Sequence, residues 1–298
     1  MALAQEGSFT KAAQRLYITQ QSLSSQIASL ERELGCQLVV RRIPLELTYA
    51  GHVFLKYALA MQQQMLNLRR EFCDITQNQK GILRVGIAFT RGRALMPGLI
   101  AQFQAQYPNI EVQLVEAANK TLYHNLLNGQ TDLAIANFTA AAPEVELCDF
   151  YCEQVVLLAE NNLLKRTVSL NTAALRKQLE CGDLSALHSC PFVLGTFDNI
   201  AGKIGRSLIE AAGFSPVVKA KSGNAETLLA LCAQGIGACF CPKNLVGAAL
   251  SASKLKQMQM FCLGSQAKYA IRFGFLRTNY QWKVIEQFID IAKRCTDL

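Results

Sequence analysis

Features that mark membrane, secreted and many catalytic proteins are missing from this sequence of 298 residues. It contains no run of about 18 uncharged apolar residues, which argues against a transmembrane helix. The N-terminus does not resemble a signal peptide, because Lys11 and Arg15 lie inside an amphipathic pattern. Eleven cysteines, an odd number in a chain without such a signal, favour free thiols and a cytoplasmic location.

Catalytic and metal-binding motifs are also missing. The three histidines are isolated, and there is no GxSxG nucleophile elbow, HExxH zinc motif or phosphate-binding loop of the GxxxxGKS or GxxxxGKT type. Cys239 and Cys241 would point to one face of a predicted strand, but no second pair of cysteines or histidines lies at ligand spacing. We therefore predict buried thiols, no metal site, no cofactor and no enzymatic activity.

The composition predicts a folded, basic protein. Hydrophobic residues make up 51% of the chain, which is typical of globular domains rather than disorder. The chain is long enough for two or three domains. Its net charge of +8 is spread along the sequence, which is compatible with nucleic-acid binding but does not establish it.

The stretch from Thr19 to Gly35 predicts an amphipathic helix. Thr19 is a suitable N-cap, and Gly35 can adopt the left-handed conformation that ends many helices. One apolar stripe recurs at helical spacing and comprises Leu23, Ile27, Leu30 and Leu34. The opposite face begins with uncharged polar groups, which can read base edges in a DNA major groove.

A shorter helix is predicted just upstream, over residues 8–16, with Ser8 or Thr10 as its cap. Ala12 and Ala13 are small enough for the second helix to cross closely, and a tight turn joins the two helices. The arrangement is a candidate helix-turn-helix. The alternative is a pair of short amphipathic helices of the kind found in many proteins that never bind DNA.

Residues 38–51 predict a small β-hairpin, or wing, interrupted by Pro44. Arg41 and Arg42 lie on it, where they would suit contacts to DNA phosphates. Such contacts supply affinity and register rather than sequence choice. The alternative is a solvated arginine pair without a ligand.

The segment EGSFTKAAQRLYITQQSLSSQIASLERELGCQLVVRR, followed by LTYAG, resembles the DNA-binding domain of the LysR-type transcriptional regulators. The resemblance implies a winged helix-turn-helix in residues 1–48 that contacts double-stranded DNA. The residues that we expect to contact DNA are Thr19, Gln20, Gln21, Ser24, Ser25, Arg41 and Arg42.

The segment departs from the family pattern in two respects. Gln21 stands where the family often has proline and Ser25 where it often has arginine, so the operator sequence cannot be transferred. Residues 1–5 are roughly ten too few for the full first helix of the family, whose length is about three turns. We therefore expect that part of this helix is missing.

Residues 49–79 predict a long linker helix. The stretch has no proline and its apolar residues repeat at roughly helical spacing, so about 30 residues would span about 45 Å. A narrow apolar stripe on such a helix usually pairs with another helix. The resemblance implies a homodimer or homotetramer formed through this helix. The alternative is packing against the C-terminal domain of the same chain.

Residues 80–298 alternate between predicted strands and helices, among them a helix over residues 97–108 and a strand over residues 154–160, which indicates an α/β domain. The order predicts two lobes, one formed by residues 81–153 and 264–298 and the other by residues 154–263. This layout resembles the effector domain of the same regulators, which is built like the periplasmic solute-binding proteins. The resemblance implies a small-molecule effector in the cleft between the lobes.

Open α/β folds bind ligands beyond the carboxyl ends of their strands, near helix N-termini. The residues that we expect to contact the effector are Thr90, Arg91, Asn137, Phe138, Thr196, Phe197 and Asn224. The alternative for each is an ordinary cap or turn residue. Arg91 and Arg93 favour an anionic effector. The alternative is that the two arginines are simply solvated and bind no ligand.

Together these patterns predict a cytoplasmic transcription regulator that binds DNA and responds to a small molecule. Two-fold dimers would bind a partly palindromic operator with half-sites about one helical turn, or a multiple of it, apart. We expect no membrane partner. The alternative is a solute-binding protein without DNA-binding function, which would need an export signal that the sequence does not show.

Overall fold

The computed structural model of the protein describes residues 1–42, 44–76, 80–138, 142–196, 199–278 and 280–296. The chain forms two compact units, Met1–Asn78 and Gln79–Leu298. Among the helices that the described residues form, none is long and apolar enough to cross a membrane.

The described part of the first unit is helical with a two-stranded wing. Its helices are α1 Ala2–Glu6, α2 Phe9–Arg15, α3 Gln20–Leu34 and α4 Tyr49–Ile75, and its strands are β1 Val39–Val40 and β2 Glu46–Leu47. The two strands pair antiparallel, which confirms the predicted hairpin.

Local hydrogen bonds set the ends of α2 and α3. Ser8 accepts a hydrogen bond from the Lys11 N–H, and Thr19 Oγ1 accepts one from the Ser22 N–H at 3.1 Å, so both residues act as N-caps. Gly35 ends α3 with a φ of 68°, a left-handed conformation that a Cβ would strain. The predicted start and end of α3 are therefore confirmed.

A small apolar core joins these helices. It comprises Leu3, Ala12, Ala13, Leu23, Leu38 and Val39. Ala12 is fully buried, and its small side chain lets α2 and α3 pack closely. Helix α1 is short, but Leu3 reaches this core and Arg15 on α2 donates hydrogen bonds to Gln5 and Glu6 of α1.

The second unit is an α/β domain, as predicted. Its strands are β3 Gly81–Ile87, β4 Ile110–Glu116, β5 Leu133–Ala136, β6 Val145–Glu160, β7 Pro191–Gly195, β8 Val217–Ser222, β9 Cys239–Pro242, β10 Met258–Cys262 and β11 Lys268–Leu276. Its helices are α5 Phe89–Gln106, α6 Asn119–Leu127, α7 Asn161–Thr167, α8 Thr172–Glu180, α9 Ile200–Ala211, α10 Ala225–Ala233, α11 Lys243–Ala249, α12 Ala252–Leu255 and α13 Lys283–Thr296. Short 3-10 turns lie at Ser185–Leu187 and Ser265–Ala267.

The strands are divided between two lobes. In the first lobe, β3 pairs in parallel with β4 and β5, and β11 pairs antiparallel with β5. In the second lobe, β6 pairs antiparallel with β9 and β10, and β7 pairs in parallel with β8. Each lobe has its own apolar core, so the predicted two-lobed architecture is confirmed.

Strand β6 is longer than the sequence pattern indicates. The pattern predicts a strand only from Gln154, but β6 begins at Val145 and ends at Glu160. Its first half, up to Gln154, pairs with β11 of the first lobe, and its second half pairs with β9 and β10 of the second. The first half mixes polar and apolar residues without a clear strand pattern. It is extended because it pairs with β11, which lies far away in the sequence.

Helix α5 begins earlier than predicted. The sequence suggests a start at Pro97, but α5 starts at Phe89 and contains Pro97 in its interior. Proline removes one helical hydrogen bond, yet the helix continues because its apolar face packs into the core of the first lobe. Thr90 and Arg91 therefore lie in the first turn of a helix rather than in a loop.

Two helical glycines differ in the space around them, which gives a matched test of the first unit's packing. A Cβ at Gly51, in the first turn of α4, would overlap the Leu38 carbonyl oxygen, whereas a Cβ at Gly98 in α5 would meet no atom within 4 Å. We expect Gly51→Ala to lower the free energy of unfolding by about 1–3 kcal/mol, because the backbone at Leu38 or at the start of α4 must shift to make room for the methyl group. Gly98→Ala should raise it by about 0.5–1 kcal/mol. Thermal unfolding of the full chain, followed by circular dichroism, measures both, and a neutral Gly51→Ala would contradict the close contact.

Candidate DNA-binding surface and effector cavity

The polar face of α3 is accessible in the first unit. Gln20, Gln21 and Ser25 are exposed, and Ser24 is half-buried beside them. Thr19 is also exposed, although its hydroxyl is engaged in capping the helix. Amide and hydroxyl groups can both donate to base edges and accept from them. The five residues predicted to read DNA therefore lie together at the N-terminal end of one helix.

The two arginines of the wing are accessible, although each has a carboxylate neighbour. Arg41 lies 5.6 Å from the centre of the Phe9 ring and 3.9 Å from Glu31, while Arg42 pairs with Glu46. The arginine side chains are 53% and 60% exposed. The Arg42–Glu46 pair is exposed on both sides, and such pairs contribute only about 0–1 kcal/mol. Glu31 is mostly buried, but its contact with Arg41 is long, so both guanidiniums remain accessible to a phosphate.

A cavity of about 580 Å³ opens between the lobes of the second unit. Four helices begin at its wall, α5 and α6 in the first lobe and α9 and α10 in the second. The lining comprises Ala88, Phe89, Thr90, Arg91, Arg93, Glu116, Ala117, Ala118, Asn119, Thr196, Asn199, Ile200, Gly223, Asn224, Ala225, Glu226, Pro242 and Tyr269. A cavity of this size with a few polar groups is typical of small-molecule sites.

Four of the residues predicted to contact an effector line this cavity, namely Thr90, Arg91, Thr196 and Asn224. Asn224 caps α10 by accepting hydrogen bonds from two N–H groups of its first turn. Thr196 follows β7, and its carbonyl accepts a hydrogen bond from Arg206 at 3.1 Å. The fold thus brings together residues from three separate stretches of the sequence.

Two of the remaining predicted residues, Asn137 and Phe138, make their side-chain contacts elsewhere. Asn137 follows β5, but its side-chain amide donates to the Ala270 carbonyl at 2.9 Å. Phe138 is buried in an apolar cluster with Leu122 and packs against Tyr123. Both side chains turn towards α6 and β11, so neither is part of the lining. Phe197 lies outside the described residues.

Arg91 is held in a buried cluster at the junction of the lobes. Its Nη2 donates to Glu153 Oε2 at 2.9 Å, and only 4% and 1% of these two side chains is exposed. Tyr151 donates to Glu153 Oε1 at 3.0 Å, and Tyr269 donates to Oε2. Glu153 lies on β6 next to the point where that strand changes its pairing from one lobe to the other.

Burial fixes the charge states in this cluster. It raises the pKa of Tyr151 and Tyr269, and the Glu153 carboxylate raises both further, so the phenols stay protonated and donate. Burial by itself lowers the pKa of Arg91, but Glu153 and the two tyrosines raise it more, so the guanidinium stays charged. Its Nε and Nη1 have no hydrogen-bond partner in the described structure. An unsatisfied buried donor costs about 1–3 kcal/mol.

A second ion pair crosses the cleft. Arg93 on α5 of the first lobe pairs with Glu226 on α10 of the second. The arginine is 49% and the glutamate 38% exposed, so solvent weakens this contact. Arg91 is therefore buried and paired, whereas Arg93 is solvated as well as paired with a carboxylate.

Tyr269 of the cavity lining and Glu153 behind it escape prediction from the sequence. Glu153 and Tyr269 lie far apart in the chain, and the pairing of β6 with β11 places them opposite each other. No local signal marks either one. Asn199 is different, because it lies in the stretch after β7 that also supplies Thr196, and it caps α9 as Asn224 caps α10.

Comparison with known proteins assigns both units to one family. The family described as "Bacterial regulatory helix-turn-helix protein, lysR family" matches residues 1–52, and the one described as "LysR substrate binding domain" matches residues 76–295. The chain belongs to the LysR family of transcriptional regulators. Its first unit is thus the helix-turn-helix domain of this family, and its second is the effector-binding domain.

Individual relatives agree with the LysR assignment. The "Uncharacterized HTH-type transcriptional regulator YcgK" of Bacillus subtilis is 29% identical over 299 residues, which cover 98% of this chain and 91% of the relative. A "Probable RuBisCO transcriptional regulator" of Chlorokybus atmophyticus is 35% identical over 192 residues, or 63% of this chain and 58% of that protein. The structure of full-length CbnR in complex with its target DNA shares the fold, with a TM-score of 0.63, 22% identity and coverage of 98% and 96%.

The two ion pairs of the LysR effector domain should differ sharply in their effect on stability. Glu153→Ala leaves the buried Arg91 charge without its partner and should lower the free energy of unfolding by about 3–5 kcal/mol. Glu226→Ala removes an exposed pair and should cost at most about 1 kcal/mol. Urea denaturation of the full chain measures both losses. Small losses of equal size would contradict the structural role of Glu153.

Proposed function

We propose that this LysR family member is a cytoplasmic, non-enzymatic transcription regulator that binds an operator as a homo-oligomer and responds to a small molecule between its lobes. One observation carries the proposal: a capped helix with an exposed polar face and an interlobe cavity occur in the same chain. We propose the cytoplasm as its location because a protein that binds chromosomal DNA must be in the same compartment as the chromosome. The helix-turn-helix unit argues against a solute-binding protein without DNA-binding function.

Helix α3 is proposed to enter the major groove. Gln20, Gln21, Ser24 and Ser25 occupy the exposed face nearest its N-terminus, where a recognition helix contacts base edges. Their amides and hydroxyls suit adenine and mixed donor–acceptor patterns rather than the bidentate arginine–guanine contact. Arg41 and Arg42 would hold the adjacent phosphates and fix the register of the helix.

Helix α4 is proposed to pair with α4 of a second copy. Phe54, Met61, Leu68 and Ile75 recur at intervals of seven residues, and all are exposed in the single chain. Met65 and Phe72 widen the same stripe. A seven-residue apolar repeat is the pattern of paired helices, and burying one such side chain stabilises by about 1.5–3 kcal/mol. A two-fold dimer of this kind would bind a partly palindromic operator.

Effector binding is proposed to act on the closure of the lobes. The cavity takes residues from both lobes, so a ligand that contacts both favours the closed arrangement. The Arg93–Glu226 pair, which joins the lobes at the cavity, adds a contact that exists only when they are close. A shift in closure would change the oligomer geometry that presents the two DNA-binding domains, which is how the two sites would be coupled.

The deciding experiment is selection of a random duplex library on the full chain at two salt concentrations. Enrichment of a two-fold site, with binding that weakens steeply as salt rises, would support the regulator. In the same experiment, Arg41→Ala with Arg42→Ala should weaken all duplexes alike and lower the salt slope by about 1.8, because two phosphate contacts are lost.

The matched control for the arginine pair is Lys219→Ala with Lys221→Ala, which removes the same charge from two exposed positions of β8. This variant should bind DNA as the unaltered chain does. A changed base preference without loss of affinity in the arginine variant would contradict the phosphate role. Absence of any enriched site on the unaltered chain would favour the solute-binding alternative.

Dimerisation through α4 can be tested with neighbouring residues that receive the same charge. Met61→Glu places a carboxylate inside the proposed apolar seam and should raise the dimer dissociation constant at least about tenfold, since the buried charge would lack a partner. Gln62→Glu places it about 100° away around the helix and should leave dimerisation unchanged. Sedimentation equilibrium measures both, and equal behaviour would contradict the seam.

A further inference from the structure

We infer that one basic face of the second lobe binds the phosphate backbone of duplex DNA without reading its sequence, as a second DNA contact in addition to the helix-turn-helix. The inference goes beyond the proposed regulator function and rests on it. The basic face lies along β10, the edge strand of its sheet, together with the helices α7, α8 and α12 beside it. Its cations, all exposed except the half-buried Lys254, are Lys165, Arg166, Arg176, Lys177, Lys254 and Lys256.

Hydrogen bonds hold the start of α7 against the start of β10. The Asn161 backbone N–H donates to the Gln257 carbonyl at 2.9 Å, and its side-chain amide donates to the Lys256 carbonyl at 3.4 Å. Arg166 folds back along α7, because its Nε donates to the Asn162 carbonyl at 3.2 Å. The Arg166 guanidinium therefore lies towards the end of α7 that meets Lys256.

Helix α8 lies on the same side of β10 as α7 and supplies the next cation. Apolar residues of both helices pack in one core with Phe261 of β10. Arg176 Nη1 donates to the Met260 carbonyl at 3.1 Å, and the guanidinium lies over the Phe261 ring, 5.3 Å from its centre. Lys256 and Met260 are four residues apart in the chain, a distance of at most about 14 Å. The cations therefore occupy one patch rather than separate parts of the lobe.

The protein does not neutralise these charges itself. Within the residues that the structure describes, none of the six cations takes part in an ion pair. The first lobe behaves differently, because five of its arginines each lie within 4.0 Å of a carboxylate. They are Arg84, Arg91, Arg93, Arg272 and Arg277. The basic face is thus free to attract an external anion.

The sequence that forms the face contains few acidic residues. Residues 154–263 carry 11 basic and 6 acidic side chains, and no acidic residue occurs at positions 161–179 or 227–285. Glu160 accepts a hydrogen bond from the Leu163 N–H as the N-cap of α7, and Glu180 is the last residue of α8, one turn beyond Arg176. The surplus of positive charge gives the lobe a field that attracts polyanions.

The composition of the face fits a phosphate backbone better than an acidic protein surface. Protein interfaces are centred on buried aromatic and apolar side chains. Among the described residues of the second lobe, the exposed large apolar side chains are Leu170, Val217, Ile236 and Met260, and none of them is aromatic. Small polar groups accompany the cations instead, since Asn162, Ser251 and Ser253 are exposed. Lysine, arginine, serine and asparagine are the side chains that commonly contact phosphates.

The test measures the full chain on two duplexes that carry the site enriched by library selection. One duplex is trimmed to that site, and the other is extended at both ends by arbitrary sequence. The variant Lys165→Gln, Arg166→Gln and Lys256→Gln removes three exposed charges. On the extended duplex it should weaken binding at least about tenfold and lower the salt slope by about 2.7, because each phosphate contact contributes about 0.9. On the trimmed duplex it should bind as the unaltered chain does. Fluorescence anisotropy at several salt concentrations measures both.

The matched control is Lys219→Gln, Lys221→Gln and Lys243→Gln, which removes three exposed charges from the same lobe outside the basic face. It should bind both duplexes normally. An unchanged salt slope of the first variant on the extended duplex would overturn the inference and leave an acidic protein as the occupant of the face. Equal losses in the control, or equal losses on both duplexes, would also overturn it.

Library selection separates this inference from the function on which it rests. An enriched site combined with an unchanged salt slope refutes only the basic face and leaves the regulator intact. Absence of any enriched site on the unaltered chain refutes the regulator, and the second DNA contact with it.

Discussion

The arrangement of the effector domain depends on one continuous strand that is hydrogen-bonded in both lobes. Strand β6 pairs with β11 in the first lobe and with β9 and β10 in the second. Each half is fixed by its own ladder, so relative movement of the lobes must bend the chain near Gln154. The buried Glu153 lies beside this point and is bound to Arg91, which lines the cavity. The cavity wall and the crossover strand are therefore linked by one ion pair.

Buried polar groups make this junction specific. Replacing a buried ion pair by apolar residues often costs little, but removing one partner is expensive. Glu153 is surrounded by donors from α5, β6 and β11. The cluster thus ties the crossover strand β6 to α5 and β11 through neutral phenols and one ion pair. An apolar core at the same place would hold these elements together without directional hydrogen bonds.

Local signals were enough to define the DNA-binding unit. Thr19 and Gly35 mark the ends of α3 because capping depends on residues within one turn. The family resemblance, carried by nearly forty consecutive residues, is confirmed by the match over residues 1–52. In the effector domain the sequence located most strands and helices, but it missed the first half of β6 and the first turns of α5. Both depend on partners far away in the chain.

The sequence by itself determined the family, the order of elements and four residues of the cavity. This was possible because helix caps and strand ends depend on residues that are neighbours in the sequence. Tertiary structure alone decided that the Asn137 and Phe138 side chains turn away from the cavity and that Glu153 and Tyr269 lie together beside it. The physical reason is that strand pairing joins residues separated by more than a hundred positions. A side chain's direction at a strand end depends on which neighbours are already packed there.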